Sequence, residues 1–161
     1  MQKEVYPVEV IAVPTMYNGE LGRSYVALIK QEDGKYTLPV SPLGESETSN
    51  EAIERMIPEQ VVTADMVDGD SPIHGVGAVG EAYTKPDRMA DGRVVGIVHA
   101  VQLVDNIKES LEGCTFFRCE SEERKVTLST DDETIILYRD GRVTGDAELL
   151  YDHAFMVTAI M

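Results

Sequence analysis

Leu38-Pro39-Val40-Ser41-Pro42-Leu43-Gly44-Glu45-Ser46-Glu47-Thr48-Ser49-Asn50-Glu51-Ala52-Ile53-Glu54-Arg55-Met56-Ile57-Pro58-Glu59-Gln60 runs from an apolar segment through a polar loop into a helix. Thr48 with Glu51 three residues later is the pattern in which a hydroxyl and a carboxylate each satisfy an orphan N–H at a helix start. Ala52, Ile53, Met56 and Ile57 recur at the spacing of one helical face. Pro58 has no N–H, and its ring opposes the carbonyl of Glu54, which predicts that the helix ends or kinks there.

Working outward, residues 6–16 are rich in Val and Ile and read as a strand. A turn at 18–22 leads to a second strand over 24–31. Glu32-Asp33-Gly34 is a tight hairpin signal, because Asp-Gly supplies the positive φ such turns need. A short strand over 35–40 follows. Beyond the helix, residues 61–67 carry no clear period, and 73–83 alternate loosely with glycines, as a strand does. The loop 84–92 is polar, and 93–104 form an apolar strand whose Val and Ile content predicts burial on both faces and a central place in the sheet. Another short strand covers 115–119. In the tail, Ser129 or Thr130 as a cap predicts a helix through 134–138, ended by Asp140-Gly141. Asp146 caps a last helix through Leu149, Leu150, Phe155 and Met156. Strands, helix, strands and paired helices in this order predict an α/β domain: a mixed β-sheet packed between helices, with a helical C-terminal tail.

The 161 residues suffice for one domain, 1–161, around one core. At 43% hydrophobic and 27% charged residues the composition is that of a folded chain, not a disordered one. No apolar run is long enough to span a bilayer, and the N-terminal stretch lacks a basic start and a small-residue cleavage site, so the expected location is cytoplasmic. A net charge of −15 repels phosphate backbones, so neither nucleic acid nor an anionic membrane is expected as a partner. An anionic small molecule would need a bound cation or a local basic patch, for which Lys85, Arg88 and Arg93 around the polar loop are the candidates.

Cys114 and Cys119 are spaced poorly for zinc and have no second pair to complete four ligands, so they read as structural thiols. His74, His99 and His153 share no spacing, and His99, inside an apolar strand, reads as a hydrogen-bonded core residue. The glycines at 75, 77 and 80 match G-x-G-x-x-G but lie within a strand, which excludes a dinucleotide-binding turn there.

The opening stretch resembles the box of the Nudix hydrolases: Gly, five residues, Glu, seven residues, then Arg-Glu-U-X-Glu-Glu-X-Gly-U, with U a bulky aliphatic, commonly preceded by Leu-Pro-Gly-Gly. Without a gap, Leu38-Pro39 matches the lead-in, Glu47 the first Glu, Arg55 the Arg, Ile57 the aliphatic and Glu59 one of the paired Glu. Val40 and Ser41 stand for the two glycines, Met56 for the Glu after the Arg, Gln60 for the last Glu, Val62 for the Gly and Thr63 for the final aliphatic. The family's carboxylates gather divalent cations that neutralise a diphosphate and activate water. The resemblance thus implies Glu47, Arg55 and Glu59 as catalytic residues, Glu59 and Gln60 as metal-facing positions, and Mg²⁺ or Mn²⁺ as the cofactor of an active form. A later carboxylate among Glu120, Glu122 and Glu123 is a further candidate, as some members use one.

With one carboxylate left in the run, the degenerate box predicts a protein that binds or acts on a nucleotide-like, nucleoside diphosphate-linked small molecule, with hydrolysis weakened or lost. The alternatives are an active metal-dependent diphosphate hydrolase with a non-standard site, and a non-catalytic protein-interaction domain. The resemblance also admits a homodimer. Structural readings stand beside these: Glu47 as a helix-dipole partner, Arg55 and Glu59 as a surface pair, and Met56 as a core residue.

Overall fold

The computed structural model describes residues 7–61, 71–83, 94–104 and 114–161. Apolar alternation turns most of them into strands: β1 (Val8–Asn18), β2 (Arg23–Lys30), β3 (Tyr36–Thr37), β4 (Val40–Pro42), β5 (Ile73–Tyr83), β6 (Val95–Leu103), β7 (Cys114–Ser121), β8 (Lys125–Ser129), β9 (Thr134–Tyr138) and β10 (Val143–Gly145). Two helices accompany them among the described residues, α1 (Ser49–Gln60) and α2 (His153–Ile160). The strands join in the order β10-β9-β8-β7-β2-β1-β6-β5, with β3 on β2 and β4 on β1. β1 and β6 run parallel and the other pairs antiparallel, so the sheet is mixed as expected. The β6 strand lies inside the sheet, flanked by β1 and β5, with Val98, His99, Val101 and Leu103 buried.

Each sheet face carries its own core. One is built from Ile11, Val13, Val26, Leu28, Tyr36, Phe117, Val126, Leu128, Ile135 and Leu137 under α2, which adds Ala154, Met156 and Val157. The other joins Val10, Ala12, Met16, Ala27, Val101, Leu103 and Cys114 to the α1 residues Ala52, Ile53, Met56 and Ile57. Residues five apart on a strand point to opposite faces. Cys114 accordingly enters the α1 core and Cys119 the α2 core.

Three expectations for the tail need correction. Residues 134–138 are not a helix but β9, and no paired helices form; only α2 closes the tail. Burial along Thr134–Tyr138 alternates strictly, which is the two-residue period of a strand, and Thr-Ile-Ile favours the pleat. Asp140-Gly141 is not a helix end but the β9–β10 turn, where Tyr138 N–H donates to Arg142 O and Gly141 adopts φ +95°. Asp146 does not cap a helix: its carboxylate accepts from Thr134 N–H at 2.9 Å, and α2 begins after Asp152.

Pro58 does not end α1, which continues to Gln60. The lost hydrogen bond would have gone to the carbonyl of Glu54, an exposed residue that water can serve, while buried Ile57 and Val61 hold the last turn down. The expected 35–40 strand divides into β3 and β4, because Leu38 N–H bonds sideways to His153 Nδ1 at 3.0 Å and Pro39 O accepts from Ala12 N–H.

Candidate functional site

The loop and helix from Leu38 to Gln60 form as the sequence predicts. Glu51 N–H donates to Thr48 Oγ1 at 3.2 Å and Thr48 N–H to Glu51 Oε1 at 3.0 Å, a complete capping box. Ser49, in the first turn, meets His99 Nε2 at 2.8 Å, and His99 Nδ1 lies 3.0 Å from Gly77 O. A carbonyl only accepts, so the Nδ1–H form donates to Gly77 and Nε2 accepts from the serine. His99, 1% exposed, is thus the hydrogen-bonded core residue its apolar strand predicts, and it ties β5 and β6 to the start of α1.

Glu47 and Arg55 come together. Arg55 Nη2 donates to Glu47 Oε1 at 2.7 Å and Nε to Oε2 at 3.3 Å, while Gly44 N–H donates to Glu47 Oε1 at 2.8 Å. The Arg55 guanidinium, followed by the Gly44 N–H, holds the Glu47 carboxyl below the usual carboxylate range. Arg55 Nη2 also reaches Ser41 Oγ at 2.9 Å and Pro42 O at 3.3 Å. The pair therefore braces the loop against β4, and Arg55 pairs with Glu47 in place of the surface partner Glu59. A Cβ on Gly44 would lie 3.1 Å from the Glu47 carboxylate, so a small residue there lets the loop close on it.

The other box positions diverge. Gln60 Nε2 donates to Val40 O at 2.9 Å, a second tie from α1 to β4. Met56 is fully buried in the α1 core. Glu59 is exposed on the outer face of the helix. Glu120 lies on β7, not in a loop, and Glu122 and Glu123 follow in the β7–β8 turn, where their carbonyls accept from Arg139. Lys85, Arg88 and Arg93 lie outside the described residues, as do Val62 and Thr63.

A divalent cation of the Mg²⁺ or Mn²⁺ kind needs several oxygen ligands converging from one side. Among the described residues no group of three or more His, Cys, Asp or Glu is arranged to hold a metal ion. The donors around α1 are otherwise engaged: Glu47 by Arg55 and Gly44, and Gln60 by Val40. This donor set does not fit such an ion. No helix among the described residues is long and apolar enough to cross a membrane.

Sequence comparison matches no protein-family model and no curated protein. Comparison of folds is informative. A MutT/nudix family protein from Enterococcus faecalis superposes with a TM-score of 0.76 at 20% identity, over 98% of this chain and 61% of that one. This chain thus spans about three-fifths of that protein's length. The NUDIX domain of Shewanella oneidensis NrtR, complexed with ADP ribose, gives 0.56 at 15% identity over 98% of this chain and 86% of that one. A bifunctional NMN adenylyltransferase/ADP ribose pyrophosphatase from Francisella tularensis, complexed with AMP and a Mn ion, gives 0.51 at 16% identity, over 99% of this chain and 42% of that one. At 20% identity or below, these likenesses show the fold: this chain has the Nudix fold.

Proposed function

We propose that this domain binds a nucleoside diphosphate-linked small molecule and that its hydrolysis of such molecules is weakened or lost. One observation carries the second half: Met56, at a box position where the resemblance wants a metal-binding carboxylate, is a fully buried core residue. Gln60 and Glu47 spend their polar atoms on bracing the loop, which leaves Glu59 as the one exposed box carboxylate. A lone carboxylate is a weak ligand for a hard dication. The ligand class is supported by the fold, since neighbours of similar architecture hold ADP ribose or AMP. Lys85, Arg88 and Arg93 are the proposed basic contacts, and Arg55 with Glu47 keeps the α1 entrance in shape.

Calorimetric titration tests the reading. ADP-ribose is expected to bind with an affinity that changes little when Mg²⁺ or Mn²⁺ is added, and either cation alone is expected to bind weakly. Tight cation binding that disappears in Glu59→Gln would instead establish a working metal site and favour the active hydrolase.

A further inference from the structure

Strand β7 places Cys114, Phe116, Arg118 and Glu120 on the face of the sheet that carries α1. Cys114 is inside the α1 core and Phe116 packs against it. Arg118 is roughly 13 Å farther along the strand than Cys114, at ~3.3 Å per residue. Its cross-strand partners are Tyr25 on β2 and Ser129 on β8. Beyond them lie Met16 on β1 and Thr134 on β9. The main contacts of α1 are with β1, β4 and β5, and those of α2 are with β9 and β1. Tyr25, Phe116, Arg118, Ser129 and Thr134 all stay partly exposed.

Arg118 Nε is shut off from solvent and has no hydrogen-bond partner among the described residues. Its guanidinium forms no ion pair among them either, and Glu120, two positions on and exposed, does not engage it. In a chain of net charge −15, carboxylates are abundant, yet none among the described residues has been brought to this cation. A charged donor withdrawn from water costs free energy unless an acceptor meets it. Arg139 shows the satisfied alternative: its guanidinium donates to Ser121 Oγ and to the carbonyls of Glu122, Glu123 and Thr158.

We propose that Arg118 is the anion-recognition residue of the small-molecule site, holding phosphate oxygens of the ligand with its planar fork. A guanidinium offers paired N–H donors that match phosphate geometry. Tyr25 across on β2 and Phe116 two residues back on β7 supply aromatic surface beside it for the uncharged part of the ligand, and Ser129 on β8 adds a hydroxyl. A small anion is favoured over a polyanion, because the chain's net charge of −15 repels an extended phosphate backbone. This inference rests on the reading of the domain as a binder of diphosphate-linked small molecules.

The test uses the whole chain, as wild type, Arg118→Ala and Arg118→Lys, titrated calorimetrically with inorganic pyrophosphate and with ADP-ribose, alongside thermal unfolding without ligand. Both probes are expected to bind the wild type, at least tenfold more weakly to Arg118→Ala, with Arg118→Lys in between. The unliganded Arg118→Ala protein is expected to melt at or above the wild-type temperature, because an unmet buried donor has been removed. ADP-ribose binding equally to wild type and Arg118→Ala overturns the role of Arg118 and leaves the functional reading standing. Pyrophosphate binding through Arg118 without ADP-ribose binding supports the anion site and overturns the nucleotide reading. Binding of neither probe to the wild type overturns both. An Arg118→Ala protein that melts well below wild type, or does not fold, shows the arginine to be structural and also overturns the proposal.

Discussion

Met56 packs with Ile53 and Ile57 between α1 and the sheet. Replacing it by Glu, the residue a complete box would have, puts an unpaired carboxylate where no water reaches. Loss of stability on the order of 3–5 kcal/mol is expected for Met56→Glu, the scale of an uncompensated buried charge. Urea unfolding measures it, and a folded Met56→Glu variant of near wild-type stability would show that α1 can turn this position to solvent. Glu47 makes a prediction about pH. Its folded carboxyl is held below the ordinary value, first by Arg55. A depressed folded value stabilises the protein above the unfolded carboxylate value, and this contribution is lost as pH falls through the folded value. Wild type should therefore exceed Glu47→Gln in stability at neutral pH, and the gap should close on acidification. Urea midpoints at several pH values check this, and a gap that widens toward acid contradicts it.

At the scale of elements, α1 is the part most legible in the sequence. The Thr48–Glu51 box and the apolar spacing depend only on neighbours, and both appear as read. Thr48→Ala is expected to lower stability by about 1 kcal/mol, the usual cost of a lost cap. Pro58 was legible as a defect but not as a tolerated one, since tolerance depends on the Glu54 carbonyl facing solvent and on Val61 being held in the core. Pro58→Ala restores that hydrogen bond and is expected to raise stability by roughly 1–2 kcal/mol, less than the full helix-interior penalty because a proline also restrains the unfolded chain. A fall in melting temperature would mean that the unfolded-state effect dominates.

The sequence reads as a helix where β9 forms because Thr130, Asp140 and Gly141 suit a hairpin as well as a helix. Thr130 Oγ1 accepts from Asp132 and Glu133 N–H in the β8–β9 turn, a local bond that a helix cap would also use. The choice was made by tertiary pairing of Ile135 and Leu137 with the α2 core. Of the candidate site, the Leu38–Gln60 frame was legible from spacing. The engagement of Glu47 with Arg55 and of Gln60 with Val40 was not, because it depends on β4 lying beside α1. Arg118 carries no sequence signal, since only the register of three strands reveals that no described residue meets its Nε.

Over the whole molecule, the sheet separates two cores, and the two thiols lie on opposite sides of it. Burial pushes Cys114 up to about 12 and Cys119 to about 11. The thiolate is the reactive form. Neither cysteine of the native protein should react with a thiol reagent at neutral pH, and both should react in denaturant. Rapid labelling of the folded protein would show that one core opens readily.

The same division places the braced α1 loop and the partly exposed Arg118 row on one face of the sheet, the surface proposed to bind the small molecule. Phosphorus NMR of ADP-ribose mixed with the protein and Mg²⁺ tests this most directly, because it reads binding and cleavage together. The account predicts that the diphosphate resonances shift or broaden on binding and then persist, with no growth of AMP and ribose 5-phosphate signals. Steady conversion to those two phosphomonoesters, abolished by Glu59→Gln, would contradict it.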